Sequence, residues 1–331
     1  MKTRTRALLL AITLCTTLGA IVSGPAAAQN YPTRPITLLC PFPPGGATDA
    51  ISRIMQDAMS QSLGQQIVIE NIGGAGGMIA AAKAARAAPD GYTIMIHQVA
   101  LAAGVSMYKN LTFDAVKDFA PIGLINTAAS TWASRPDLPP KNITELIAWM
   151  KTPGQNIKVA HPGVGSFGHL AGVLVAQEIG AHVVQVPYLG AGPALNDLLA
   201  GQVDLASQSA VQAAPLIKAG KLKAYAIIGR NRFAGLPDLP TMGEIGYKKL
   251  DIDFWHALFA PAGTPRPIID RLNAALRHAM ADARVKKTFA DGGMDPFPDA
   301  QMTPEAASAM LKSEIKLWGD VIAANNISAG N

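Results

Sequence analysis

Short runs that are apolar along most of their length, rather than at alternate positions, recur along this chain and constrain its fold more than any other feature. Ile36–Cys40, Gln66–Glu70, Tyr92–Ile96, Ile157–Ala160, Val183–Val186, Val203–Ala206 and Leu222–Ile228 are of this kind. A strand apolar on both faces must be covered on both faces, which calls for helices on either side and favours parallel pairing. Helical stretches lie between the runs. In Asp49–Leu63 the residues Ile51, Ile54, Met55, Ala58, Met59 and Leu63 follow the spacing of one helix face. Ile79–Ala88, Ile143–Met150, His169–Ile179, Pro193–Ala200, Val211–Ala219 and Glu305–Ala324 are further helices. Asn142 with Glu145 and Thr303 with Pro304 supply start signals. The fold class is α/β.

At 331 residues, 49% of them hydrophobic, the chain exceeds one ordinary domain and can fill a sizeable core. Two lobes are expected, each a mostly parallel sheet flanked by helices with a cleft between. Residues 29–131 with 255–331 form the first lobe and 132–254 the second. Ser134–Pro140 carries the chain across and Asn231–Asp251 brings it back.

The N-terminus reads as an export signal. Lys2, Arg4 and Arg6 precede an apolar stretch from Ala7 to Val22, and Ala26-Ala27-Ala28 offers small residues for cleavage after Ala28. The formal charge of +5 loses three basic residues on cleavage; 25 basic against 23 acidic leaves about +2. That balance, without a Lys/Arg cluster, argues against a nucleic-acid partner. Cys15 goes with the signal, so Cys40 stands alone in an apolar run as a structural thiol, and no disulfide is available.

Four Gly-rich loops lie between a strand and a helix: Pro41–Asp49, Gly73–Gly77, Gly163–Gly168 and Leu189–Pro193. Such loops sit at the carboxyl ends of parallel strands, where open α/β sheets bind ligands. Glycine lets the backbone approach closely, and the free amides of a helix's first turn attract anions. Gly163–Gly168 matches G-x-G-x-x-G, but Val183–Pro187 holds no acidic residue for a ribose, so no dinucleotide or other cofactor is expected. The histidines His97, His161, His169, His182, His256 and His278 show no metal-type spacing, and no catalytic motif is present. His97 and His169 are singled out because they border the loops. Trp255 lies where the chain returns between lobes and could wall a cleft.

Several of these segments resemble the Bug/TctC family in content and order. They are PFPPGGATDA, ENIGGAGG, APDGYT, HLAG (His169–Gly172), VPYLGAGPALNDLLAGQVD (Val186–Asp204), IKAGKLKA, LPDLPTMGEIGY and LFAPAGTP (Leu258–Pro265). The family comprises extracytoplasmic solute-binding proteins of tripartite tricarboxylate transporters. The resemblance implies a two-lobed periplasmic binding fold of type II kind, closing on a small organic carboxylate for delivery to membrane permease subunits. It implies a periplasmic monomer that is not an enzyme. A carboxylate sensor serving a two-component system and an enzyme acting on a carboxylate are the alternatives.

The resemblance also implies ligand contacts from the first loop, at Phe42, Pro44, Gly45, Gly46, Ala47, Thr48 and Asp49, and from the loop after VPY, at Tyr188, Leu189, Gly190 and Ala191. Backbone amides and bridging water would hold the carboxylate. Gly165, Ser166 and His169 map to the loop before HLAG, His97 and Gln98 to the positions after DGYT, and Ser207 and Gln208 to those after QVD. Leu189 stands where the family often has Lys or Arg, Ile72-Gly73 where Arg-Pro is common, and Ser207-Gln208 where an aromatic–acidic pair is frequent. Fewer charges there favour a neutral or aromatic ligand tail.

Overall fold

The computed structural model describes residues 30–325 and 327; the expected export signal and Cys15 lie outside these. The chain begins with β1 (Ile36–Cys40), which is buried except for part of Thr37. It continues through α1 (Ala47–Leu63), β2 (Ile67–Asn71), α2 (Met78–Ala85), β3 (Thr93–Gln98), α3 (Ala100–Met107) and β4 (Phe119–Ala128). After β4 come β5 (Ser130–Ser134), α4 (Ile143–Met150), β6 (Ile157–His161), α5 (Phe167–Ile179) and β7 (Val183–Pro187). Then follow α6 (Ala191–Leu199), β8 (Leu205–Ser209), α7 (Ala210–Lys218) and β9 (Lys223–Ile228). The last elements are β10 (Phe254–Pro261), α8 (Arg266–Ala281), α9 (Ala283–Asp291), β11 (Met294–Pro296) and α10 (Pro304–Ala324).

Two sheets result, ordered β11-β4-β10-β3-β1-β2 and β7-β6-β8-β5-β9. In each, one strand (β1 or β6) is flanked in parallel by the next two of its lobe. Beside the third runs an antiparallel strand that has just arrived from the other lobe: β10 in the first sheet and β5 in the second. The sheets are therefore mixed and not mostly parallel as expected. The antiparallel pairs come from the crossing strands, which enter from the opposite lobe and so run against their neighbours.

The first crossing is not made by Ser134–Pro140. β4 and β5 are separated by Ala129 alone, and Ser130 and Thr131 already pair with Ser209 and Gln208 of the second sheet. The chain crosses as one nearly continuous strand, because the backbone groups of β4 and β5 find partners on both sides of Ala129. It returns at Phe254, which pairs with Ala128, so both crossings lie side by side.

Local signals in the sequence act as read. The Asn142 side chain accepts from Glu145 N–H and the Thr303 side chain from Ala306 N–H, capping α4 and α10. Helix α1 ends at Gly64 in the left-handed region (φ 73°), its N–H returning to Ser60 O. Its apolar face, with Ile51, Met55 and Met59, is buried in one cluster with Ile268, Leu272 and Leu276 of α8. The helices after Gly263-Thr264-Pro265 thus cover the first sheet. Cys40 is buried and unpaired, and burial, the largest influence, pushes its thiol up to about 11.

Candidate functional site

Four helices begin at one cavity of about 70 Å³ between the sheets. Gly46 starts α1, Ser166 starts α5, Gly190 starts α6 and Ser209 starts α7, and all four line it. Each follows the carboxyl end of a strand, as a right-handed strand–helix connection requires. Only α5 has a side-chain cap, Ser166 accepting from His169 N–H; α1, α6 and α7 have none. Uncapped first-turn amides carry partial positive charge toward the cavity.

The wall between these termini carries hydroxyls and amides at Thr48, Ser130, Ser207, Gln98, Gln208 and Gln212. Its apolar part is Phe42, Pro43 and Pro162 with Phe167 and Phe254, whose rings stack at 4.8 Å across the lobes. Among the described residues no Lys, Arg, His, Asp or Glu lines the cavity. A larger depression of about 1000 Å³ runs along α2 and Met107–Phe113, but it is an open surface groove away from the four helix starts.

The lobes meet over the cavity. Gln212 Nε2 donates to Gly45 O at 2.5 Å, and Tyr108 Oη to Val164 O at 2.9 Å. Here the glycines have a steric role. A Cβ on Gly76 would stand 2.7 Å from Val164 O, and one on Gly190 would stand 3.3 Å from Pro43.

Of the residues expected from the sequence, Phe42, Gly46, Ala47, Thr48, Gln98, Ser166, Gly190, Ala191, Ser207 and Gln208 line the cavity. The others stand behind or beside it. Asp49 is buried and fully engaged: Oδ2 accepts from Gly45 N–H (2.9 Å) and Arg53 Nε (3.0 Å), and Oδ1 accepts from Asn71 Nδ2 (2.9 Å). Asn71 Nδ2 also donates to Phe42 O (3.0 Å), so this network ties both ends of the first loop. Burial alone would raise the Asp49 carboxyl, but the Arg53, Gly45 and Asn71 hydrogen bonds outweigh it and hold the group below its ordinary range. Pro44 and Gly45 are exposed at the rim.

His97 is buried beneath the wall, its Nδ1 accepting from Gln98 N–H at 2.9 Å. His169 lies under the Gly163–Gly168 loop and accepts from Gly165 N–H at 3.2 Å. His161, against it at 4.5 Å between ring centroids, accepts from Gly163 N–H. Burial pulls all three down to about 4. Tyr188 donates to Asp197 Oδ2 at 2.6 Å, and burial followed by that carboxylate pushes its phenol up to about 12. Leu189 is 86% exposed and does not line the cavity.

Trp255 does not wall the cleft. Side chains alternate along β10, so Phe254 and His256 share the cavity side while Trp255 enters the core cluster that holds Trp318. His256 Nε2 lies 3.2 Å from Thr48 Oγ1 and orients that hydroxyl. Burial, then His97, lowers His256 to about 3, so it is neutral.

Sequence reasoning missed Ser130, Phe167, Gln212 and Phe254. The period of two along Phe254-Trp255-His256 could have found Phe254. The other three follow from the crossing of β5 and from the lobes meeting. Among the described residues no group of three or more His, Cys, Asp or Glu could hold a metal ion, and no helix is long and apolar enough to cross a membrane.

Two α/β lobes joined by paired crossings, with helix starts facing one another across an interlobe cavity, define a periplasmic binding protein fold. The profile described as "Tripartite tricarboxylate transporter family receptor" (TctC) matches residues 51–327, and the chain belongs to that family. Its structure is similar to the periplasmic binding protein BugD, with 37% identity and a TM-score of 0.86 over 90% of this chain and 99% of that one. MatC (Rpa3494) from Rhodopseudomonas palustris, solved with bound malate, is 36% identical with a TM-score of 0.84, covering 88% of this chain and 100% of MatC. Rpa4515 of R. palustris, solved with adipate, is 29% identical with a TM-score of 0.85, covering 90% of this chain and 99% of Rpa4515.

Proposed function

We propose that this protein captures a small organic carboxylate in the interlobe cavity and delivers it, from the periplasm, to the permease subunits of a tripartite tricarboxylate transporter. The observation that carries the reading is the convergence of four helix starts, three of them uncapped, on a cavity without a charged side chain. At α7 the Ala210 N–H already donates to Ala129 O, and a carboxylate supplies acceptors for the remaining first-turn amides and needs no cationic side chain to hold it. Each helix terminus contributes about 0.3–1 kcal/mol through its dipole, more when partly buried. Hydrogen bonds to a charged group add roughly 1.5–3 kcal/mol each. A micromolar complex needs about 8 kcal/mol, which several such contacts together with apolar burial reach. The malate and adipate held by the two relatives fit the same class.

The lobes act as bodies hinged at the two crossings. The ligand stabilises the closed arrangement because it touches both. In this reading no bond is made or broken, which membership of a receptor family supports. The delivery role rests on membership of the receptor family.

A thermal-shift screen of the protein beginning at Gln29, against mono-, di- and tricarboxylates and the uncharged amides of the same acids, tests the reading. A true ligand at 100 times its dissociation constant adds about 2.7 kcal/mol, and its amide adds none. Equal shifts from acid and amide, or a ligand recovered chemically altered, would overturn it.

A further inference from the structure

Two neighbouring rings hold the Gly163–Gly168 loop. His161 ends β6 and His169 lies in the first turn of α5, with the loop between them. The ring centroids are 4.5 Å apart. Gly163 N–H donates to His161 Nδ1 at 3.3 Å, and Gly165 N–H donates to His169 Nδ1 at 3.2 Å. A main-chain amide only donates, so each Nδ1 presents a bare lone pair and each neutral ring carries its proton on Nε2. A charged ring would set N–H against N–H at the same distance. No carboxylate lies by either ring to favour the charged form, and burial, the main influence on both, disfavours it.

A Gly-x-Gly stretch has many shapes open to it and keeps one only when its main-chain groups are held. Here the holds are complete along the turn. Between the two amides on the imidazoles, Val164 O accepts from Tyr108 Oη of the first lobe at 2.9 Å. Gly163 O accepts from Ser166 N–H at 3.1 Å, and the Ser166 side chain accepts from His169 N–H at 3.3 Å. Phe167 and Gly168, which follow directly, begin α5 and line the cavity. The shape of the turn thus governs two things at once, the placing of the α5 start and the lobe-to-lobe bond at Val164.

We infer that His161 and His169 are positioning residues for ligand capture: as Nδ1 acceptors they hold the Gly163–Gly165 backbone in the shape that sets the α5 start at the cavity and gives the Val164 carbonyl to the opposite lobe. This deepens the carboxylate reading and rests on it. Neither imidazole lines the cavity, so His169 acts through the loop and not, as its place in the sequence suggests, on the ligand itself. The pair works as neutral acceptors. A side chain of similar size without an acceptor would fill the space and leave a buried amide unmatched, which is costly.

Substitutions that keep or remove the acceptor separate positioning from packing. Asparagine offers Oδ1 close to the place of Nδ1, whereas leucine fills space and accepts nothing. In calorimetric titration with malate and adipate, His161→Leu and His169→Leu bind about tenfold or more weakly, because a loosened loop must be ordered afresh at each capture. His161→Asn and His169→Asn stay close to the parent. A role in packing alone would rank the two substitutions the other way round. Unliganded melting temperatures confirm that the variants fold. Nitrogen NMR of the unliganded parent, which needs no variant, shows both rings protonated on Nε2 only, with the Gly163 and Gly165 amides slow to exchange. If a leucine variant binds as tightly as the parent, if asparagine and leucine weaken binding alike, or if either ring carries its proton on Nδ1, the positioning role falls and the carboxylate reading stands. If the parent binds neither these acids nor any other carboxylate of the screen, the carboxylate reading falls and takes the role in capture with it, even where the NMR shows the rings holding the loop.

Discussion

Gln212, the third residue of α7, reaches across the cleft and donates its side-chain amide to the main-chain oxygen of Gly45, 167 residues earlier in the chain. The contact joins the two lobes beside the cavity, so opening of the proposed hinge would break it. A neutral hydrogen bond is worth roughly 0.5–1.5 kcal/mol net. Gln212→Leu should therefore weaken ligand binding by about 2- to 10-fold through faster dissociation, with unchanged unliganded stability. Stopped-flow measurement of association and dissociation rates checks this; a change confined to association would count against the latch.

Ala47 is the first residue of α1, after Gly46 in an extended conformation (φ −82°, ψ 170°). Both positions tolerate a proline at 47, which removes one amide proton and leaves the helix intact. Ala47→Pro should cost about tenfold or more in carboxylate affinity, the worth of one hydrogen bond to a charged acceptor. Calorimetry measures the loss and circular dichroism verifies the fold. Full retention of affinity would remove α1 from the carboxylate site.

At Gly76 the backbone is left-handed (φ 62°), and a Cβ would sit 2.7 Å from Val164 O of the other lobe. The neighbour is a main-chain atom that cannot swing aside. Gly76→Ala is expected to hold the lobes apart and weaken binding, by about tenfold or more given 1–2 kcal/mol of left-handed strain together with the clash. Small-angle scattering with saturating ligand should show a larger radius of gyration than the parent protein. Identical scattering curves would refute the expectation.

The buried histidines give the protein an acid-side weakness. His97, His161 and His169 are lowered to about 4 and His256 to about 3, mainly by burial. Above pH 6.5 both folded and unfolded chains carry them neutral. Below it the unfolded chain takes up protons first, so stability falls as pH drops from 6.5 towards 4, by up to about 1.4 kcal/mol per pH unit for each histidine. Urea unfolding at pH 7, 6 and 5 reads this above most of the carboxylate range. A level profile between pH 7 and 5 would show that these rings are solvated.

The parallel part of each sheet was legible because its strands are separated by amphipathic helices and closed by glycine turns, all local signals. The crossing strands were not. β4 contains Pro121, β5 is polar in Ser130, Thr131 and Ser134, and β10 has its apolar run interrupted by His256. Their identity depends on distant partners, such as Ser209 opposite Ser130 and Ala257 opposite His97. The two sheets repeat one strand order although no repeat shows in the sequence, because backbone pairing and not side-chain identity is what recurs. Within the site, the loops were legible from their glycines. Asp49 was not read as the loop's anchor, since an acidic residue in the first turn of a helix is equally common as a solvated end. The return of the chain between the lobes pointed to Trp255, where strand alternation places Phe254 on the cavity side.

Ala129 is a single-residue joint, and the return at Phe254 pairs with Ala128 beside it. In the hinge proposed above, these side-by-side crossings would favour a swing like that of a door on paired pins. Exchange of the 130–253 segment between relatives would therefore require two splices only a hydrogen bond apart, and a chimera that keeps both would inherit its angular travel from the frame and its taste from the insert.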